Sequence, residues 1–246
     1  MTSQGKAALV IVDLQNDFCP PNGALAVPSG RDIAPAINKL LALPFALKIA
    51  TRDFHPRDHV SFASQHAEKQ PFTSNHTITN PENSQETQET VLWPDHCVQD
   101  TPGCELIPEL ETSKLHLIVD KGQDKRVESY SAFGPPFRSP RVSMTRLAAT
   151  LREAGITHVF VCGLAWDFCV KATAIDAAKE GFTTYAIHDA CRGIDRSAKG
   201  SVATREEMEK HGVRVIGLDS GELDMNSTNH QDSAAAASAT SILTPE

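Results

Sequence analysis

Three residues of this chain could together break a carbon–heteroatom bond: the thiol of Cys169, the ammonium of Lys121 and the carboxylate of Asp13. Cys169 lies in Gly163 to Val170 (GLAWDFCV), just after the short apolar run His158 to Cys162. Apolar residues then recur at helical spacing to Lys179, which places Cys169 in the first turn of a predicted helix. Converging N–H groups and the helix dipole favour negative charge there, so the thiol is expected to lose its proton more readily than a free one. Lys121 would favour a thiolate by proximity, and Asp13 could take the thiol proton and pass it to a leaving amine. Asp17 competes with Asp13 for the acidic role; Asp13 is preferred because it joins directly onto a buried run.

A second group suits a metal ion. In Asp53-x-His55 the two side chains point the same way in extended backbone, and His96 supplies a third donor. Three protein ligands leave positions open, as in a catalytic rather than a structural site. Nitrogen and oxygen donors suit zinc, iron(II) or manganese and do not select among them. His59 is close enough in sequence to be a fourth ligand or to lie just outside the ligand set.

The elements that must carry these residues alternate along the chain. Predicted strands are Ala7 to Val12, Leu47 to Thr51, Leu115 to Val119, His158 to Cys162, Thr183 to Ile187 and Val213 to Leu218. Between them, Asp32 could cap a helix carrying Ile33, Ile37, Leu40 and Leu41, Leu147 to Ala154 reads as a helix closed by Gly155, and another runs from about Ser197 to Lys210. The pattern predicts a single-domain, doubly wound α/β fold over residues 1–219, with a mostly parallel sheet of about six strands and helices on both faces. Ligands in such sheets bind beyond the carboxyl ends of the strands, where Asp13, Asp53, Lys121 and Cys169 all fall. Residues 63–91 are polar and lack periodicity, which predicts a lid or mobile insertion, and residues 220–246 read as a disordered tail.

Composition removes several function classes. The 246 residues carry a net charge of -8 and no basic cluster interleaved with aromatics, which argues against nucleic acid as partner. No apolar run approaches about 18 residues, so no membrane span is expected. Six scattered cysteines without an export signal read as reduced thiols in a cytoplasmic protein, with nuclear or peroxisomal residence left open. A homo-oligomer is compatible with all of this.

Taken together, VDLQNDF (Val12 to Phe18), RDFHP (Arg52 to Pro56), LWPDHCV (Leu92 to Val98), VDKG (Val119 to Gly122), YSAF (Tyr130 to Phe133) and GLAWDFCVKATA (Gly163 to Ala174) resemble the nicotinamidase branch of the isochorismatase-like cysteine hydrolases. The insertion and tail resemble eukaryotic versions of that branch more than compact bacterial ones. The resemblance implies hydrolysis of nicotinamide, in NAD salvage, by Cys169 as nucleophile, Asp13 as acid and base, and Lys121 as third member. It implies one divalent ion, zinc before iron or manganese, on Asp53, His55 and His96, and aromatic walls at Phe18, Trp93 and Tyr130. It also implies a cis peptide at Leu164-Ala165, with the N–H groups of Ala165 and Cys169 forming an oxyanion hole. The alternatives are another small amide or ureido substrate, or a sensor that binds metal or nicotinamide without turning it over.

Overall fold

The computed structural model describes residues 5–224. At its centre lies β1 (Lys6–Val12), in which every residue after Lys6 is buried. A strand apolar on both faces can only sit inside a sheet covered on both sides. It pairs in parallel with β2 (Leu47–Asp53) on one side and with β6 (Ile156–Leu164) on the other. Beyond β2 lies β5 (Leu117–Lys121); beyond β6 lie β7 (Thr183–Arg192) and then β8 (Arg214–Ile216). All five pairings are parallel, giving a six-stranded sheet in the order β5-β2-β1-β6-β7-β8.

The connections run outward in opposite directions from the centre. From β1 the chain passes through α1 (Ala34–Ala42) to β2 on one side. From β6 it passes through α3 (Lys171–Lys179) to β7, and through α4 (Ala198–Lys210) to β8, on the other. Right-handed crossovers in opposite directions put their helices on opposite faces. They also open a crevice at the carboxyl ends of β1 and β6. The helix α2 (Leu147–Glu153) precedes β6 and ends at Gly155, whose φ is +70°.

Several local expectations change. Asp32 does not cap α1: it lies in a 3-10 turn, Gly30–Ile33, and no side chain caps the helix. A proline in the first turn of α1 already lacks one of the N–H groups a cap would satisfy. Strands β2, β5, β6 and β7 run further toward the site than their apolar stretches do, because Asp53, Lys121, Leu164 and Arg192 still pair.

The segment expected to be a structureless insertion contains a hairpin of β3 (Asn75–Asn80) and β4 (Asn83–Val91). Its strands are almost wholly polar, so the alternation that marks a half-buried strand is carried inward by few side chains, among them Ile78 and Thr90. Ile78 packs with Val127, Phe137 and Val142 in a small separate core. Of the tail read as 220–246, residues 221–224 form a helical turn with Leu223 buried, and 225–246 lie outside the described residues. Ile78→Ala should lower the free energy of unfolding by about 2–5 kcal/mol, as for other buried aliphatic truncations, measured by urea denaturation.

Candidate active site

Asp13 follows the last residue of β1 with φ +48°, a turn of the backbone that aims its carboxylate across the sheet end. The carboxylate is fully buried. Thr51, on β2, donates its hydroxyl to Asp13 Oδ1 at 2.5 Å. Lys121, the last residue of β5, brings its ammonium to 3.0 Å from Asp13 Oδ2, 2.5 Å from Asp53 Oδ1 and 3.5 Å from Cys169 Sγ. It also donates to the Ser129 carbonyl at 3.0 Å. Asp13, Lys121 and Cys169 therefore meet as the sequence suggests, while Asp17 does not join them. Asp17 Oδ2 instead accepts from Cys97 N at 2.7 Å and so pins the loop that carries His96.

Cys169 lies not in the first turn of an α-helix but in a π-helical turn, Trp166–Val170, ahead of α3. Gly163, in β6 just before that turn, has φ +117°, and a Cβ there would lie 2.1 Å from the carbonyl oxygen of Val12. Only glycine lets β6 pass β1 this closely. The expectation of a readily ionised thiol is overturned. Burial pushes the Cys169 thiol well above its ordinary value; Lys121 opposes this, but Asp13 and Asp53 add to it. Burial likewise raises Asp13, to about 6, against the pull of Lys121 and with Asp53 reinforcing the rise. Burial thus favours a proton on sulfur at rest, with the Asp13 carboxylate in the same cluster to receive it. Attraction to both carboxylates overrides burial at Lys121 and holds it charged, well above the ordinary lysine value.

The second group converges beside the first. Asp53 Oδ2 lies 3.6 Å from His55 Nε2 and 3.9 Å from His96 Nε2. The ligand atoms of all three residues fall within 4.8 Å of one another, and all three are buried. Each imidazole is oriented from behind: His55 Nδ1 donates to the Gly122 carbonyl at 2.8 Å and His96 Nδ1 to the Pro94 carbonyl at 2.7 Å. This tautomer leaves both Nε2 lone pairs facing the centre, the usual arrangement behind metal ligands. Gly122 (φ +67°) is required there, because a Cβ would lie 2.4 Å from His55 Cε1.

Burial would raise Asp53, but Lys121 and His55 outweigh it and hold its carboxyl far below the usual range. Burial lowers His96 to about 4, which keeps it neutral. At His55 burial acts in the same direction, but Asp53 outweighs it and raises the group. A proton and a cation would therefore compete for the lone pair of His55. Among the described residues, buried His55 Nε2 has no hydrogen-bond partner, a polar atom that a bound cation would satisfy. The donor set fits a divalent ion.

His59 stands outside the Asp53, His55 and His96 group, although one of its nitrogens lies within 4.8 Å of ligand atoms on His55 and Glu128. Its ring stacks on His55 with centroids 4.0 Å apart, Nδ1 faces Ser61 Oγ at 2.8 Å, and Nε2 faces the Val127 carbonyl at 3.1 Å. Both nitrogens are already used, and burial holds the ring neutral.

Four contributors carried no signal that sequence spacing could read. Gln15 donates to the Asp53 and Cys104 carbonyls and accepts from Asp53 N, all at 2.8 Å, so it clamps the metal-facing backbone. Thr51 orients Asp13. Glu128 is buried beside the cleft, its Oε1 accepting from Ser129 N at 2.7 Å, and burial raises its carboxyl. Phe168, directly before Cys169, belongs with the aromatic residues of the cleft; like Gln15 it lies inside one of the sequence motifs, the one available hint.

Phe18, Trp93, Tyr130, Phe168, Ala165 and Ile194 line the cleft beside Cys169 and His96. Phe18 lies 5.4 Å from the His96 ring, and Trp93 meets Phe168 edge-on at 5.1 Å. The Leu164-Ala165 peptide is cis. Trp93 Nε1 donates to Tyr130 Oη at 3.0 Å, and Tyr130 Oη pairs with Thr90 Oγ1 at 2.8 Å. Thr90 lies on β4, so the polar hairpin braces the aromatic wall. Thr90→Val should reduce stability by about 1–3 kcal/mol through an unsatisfied buried hydroxyl. Urea denaturation should show Thr90→Ser restoring stability and the loss shrinking in a Tyr130→Phe background.

Residues 7–220 match the Isochorismatase domain family. A nicotinamidase of Acinetobacter baylyi is 44% identical over 216 residues, covering 88% of this chain and 94% of that relative. The structure of yeast nicotinamidase Pnc1p bound to the inhibitor nicotinaldehyde superimposes with a TM-score of 0.81 at 34% identity, covering 86% of this chain and 99% of that one. The pyrazinamidase of Pyrococcus horikoshii in complex with zinc superimposes with a TM-score of 0.65, also at 34% identity, covering 86% and 99%. With the match running from β1 through β8 and across both clusters of buried groups, the chain belongs to the isochorismatase family.

Proposed function

We propose that the protein is a nicotinamidase that hydrolyses nicotinamide to nicotinic acid and ammonia through a thioester on Cys169. The observation that carries this reading is the contact of one buried ammonium, Lys121, with Asp13, Asp53 and Cys169. It joins a nucleophile and its base to a set of metal ligands within one aromatic cleft. The Acinetobacter and yeast relatives are nicotinamidases, and the yeast structure holds a pyridine aldehyde.

In the reaction, Asp13 removes the thiol proton as sulfur attacks the amide carbon, and Lys121 stabilises the negative charge on sulfur. A C–S bond forms and the carbonyl oxygen becomes an oxyanion. We assign the N–H groups of Ala165 and Cys169 to that oxyanion; one such donor is typically worth about 3–4 kcal/mol. Asp13 returns its proton to the amine, the C–N bond breaks and ammonia leaves. Water then attacks the thioester while Asp13 takes one of its protons, the C–S bond breaks, and sulfur recovers that proton. Phe18, Trp93, Tyr130 and Phe168 hold the ring so that the amide carbon faces sulfur, an orientation effect that replaces a random encounter.

Asp53, His55 and His96 would hold a divalent ion, which we assign as zinc because the Pyrococcus pyrazinamidase structure contains it. When bound, the ion supplies an electrophilic anchor for a ring nitrogen. All six cysteines are free and buried, which supports the cytoplasm as the compartment. No helix among the described residues is long and apolar enough to cross a membrane.

Ammonia release from nicotinamide by the purified protein tests the function directly. Release should fall on chelation and return with zinc; metal-loaded protein that releases none would overturn the reading. Cys169→Ala should reduce turnover by at least a thousandfold while zinc content, read by atomic emission, stays near one per chain. His55→Ala should lose the zinc first, and full zinc occupancy in that variant would refute the ligand assignment.

A further inference from the structure

The space beside Cys169 is far narrower than the space outside it. Between Trp93, Tyr130, Phe168, Ile194 and Cys169 it measures about 20 Å³. Immediately outside lies a vestibule of about 690 Å³, bounded by Phe72, Lys171 and Ala203 and by four of the same cleft residues, Trp93, Tyr130, Phe168 and Ile194. Those four therefore form the constriction between vestibule and nucleophile. An aromatic amide that enters from the vestibule must pass between them.

Three of the four are fixed. Trp93 and Tyr130 are locked to each other and to Thr90 on the hairpin. Phe168 lies within the π-helical turn and against both of those rings, at 5.1 and 5.5 Å. Ile194 differs. It lies in the irregular segment between the end of β7 at Arg192 and the start of α4 at Ala198. Its side chain is partly buried against the core.

One carboxylate holds that segment in place. Asp167 Oδ1 accepts from Ile194 N at 3.0 Å, and Asp167 Oδ2 accepts from Asp195 N at 2.7 Å. Gly193 lets the segment approach, since a Cβ there would lie 3.2 Å from Asp167 Oδ1. At its far end the segment is tied to the helix, Asp195 accepting from Ser197 N and Ser197 capping α4 through Gly200 N. It is thus clamped at both ends by regular structure and, among the described residues, at its middle by Asp167.

We propose that Asp167 is a positioning residue that holds Ile194 across the cleft mouth, and that Ile194 sets which aromatic amides reach Cys169. Asp167 stands on the same turn as Cys169, two residues before it, so the closure is indexed to the nucleophile rather than to the outer surface. Displacing the segment costs two backbone hydrogen bonds and the burial of one isoleucine. A larger substituent would hold the segment open, and it is therefore selected against.

This inference rests on the proposed nicotinamidase activity, and the experiment separates the two. The zinc-loaded full-length enzyme and its Ile194→Ala, Asp167→Ala and Asp167→Asn variants are assayed for ammonia release. The substrates are nicotinamide and nicotinamides bearing a methyl or phenyl group at ring carbon 5 or 6. The readout is kcat/KM for each substituted amide divided by that for nicotinamide. Ile194→Ala and Asp167→Ala should each raise the phenyl ratio at least tenfold at one of the two positions, with KM for nicotinamide rising more than kcat falls. Asp167→Asn, which keeps one acceptor, should lie between Asp167→Ala and wild type. The double variant should exceed the larger single effect by less than threefold.

Ratios within twofold of wild type in a folded, active Ile194→Ala enzyme would overturn the proposal, whatever Asp167→Ala does. A raised ratio in Ile194→Ala but not in folded Asp167→Ala would overturn the role of Asp167. A wild-type enzyme inactive on nicotinamide would instead count against the proposed function.

Discussion

The ammonium of Lys121 is the group on which both halves of the site depend. It is buried to 1% exposure, yet within 3.5 Å it meets Asp13, Asp53, the Ser129 carbonyl and Cys169 Sγ. A lone cation so deep would be prohibitively desolvated, and two carboxylates this close would repel; each state is tolerable only because of the other. With both aspartates ionised the three side chains sum to one negative charge, which favours a cation at the neighbouring His55 and His96. The same ammonium faces the sulfur on which negative charge would develop.

The topology explains why these groups can meet. Asp13, Asp53 and Lys121 come from the ends of three adjacent parallel strands, β1, β2 and β5, and Cys169 comes from the turn after β6. Parallel strands deliver all their carboxyl ends to one edge of the sheet, and the reversal of winding between β1 and β6 keeps helices from closing that edge. Residues nearly forty positions apart thus become immediate neighbours, as when Thr51 donates to Asp13. The loops then complete the site: the Cys97 loop held by Asp17, the hairpin that presents Thr90, and the segment that carries Ile194.

Much of this was legible in the residues themselves. Apolar runs between helical periodicities give the parallel sheet, because a strand buried on both faces needs no alternation to be recognised. Asp13, Lys121, Cys169 and Asp53 were legible because chemically unusual residues follow those runs, and His55 and His96 because they complete a donor set with Asp53. The ionisation of Cys169 was not, because it depends on total burial and on two nearby carboxylates rather than on position near a helix start. Gln15, Thr51 and Glu128 were hidden because an amide, a hydroxyl or a lone carboxylate gains its role only from partners across the fold. The hairpin was hidden because a nearly all-polar strand carries too few inward apolar residues to show a period of two.

The central claim, that the amide carbon is passed to the sulfur of Cys169, is tested most directly by acid-quenching the zinc-loaded enzyme during turnover of nicotinamide and mapping its peptides by mass spectrometry. The account predicts a nicotinoyl group on the peptide that carries Cys169, removable by hydroxylamine as a thioester. A nicotinoyl group on any other side chain would contradict it.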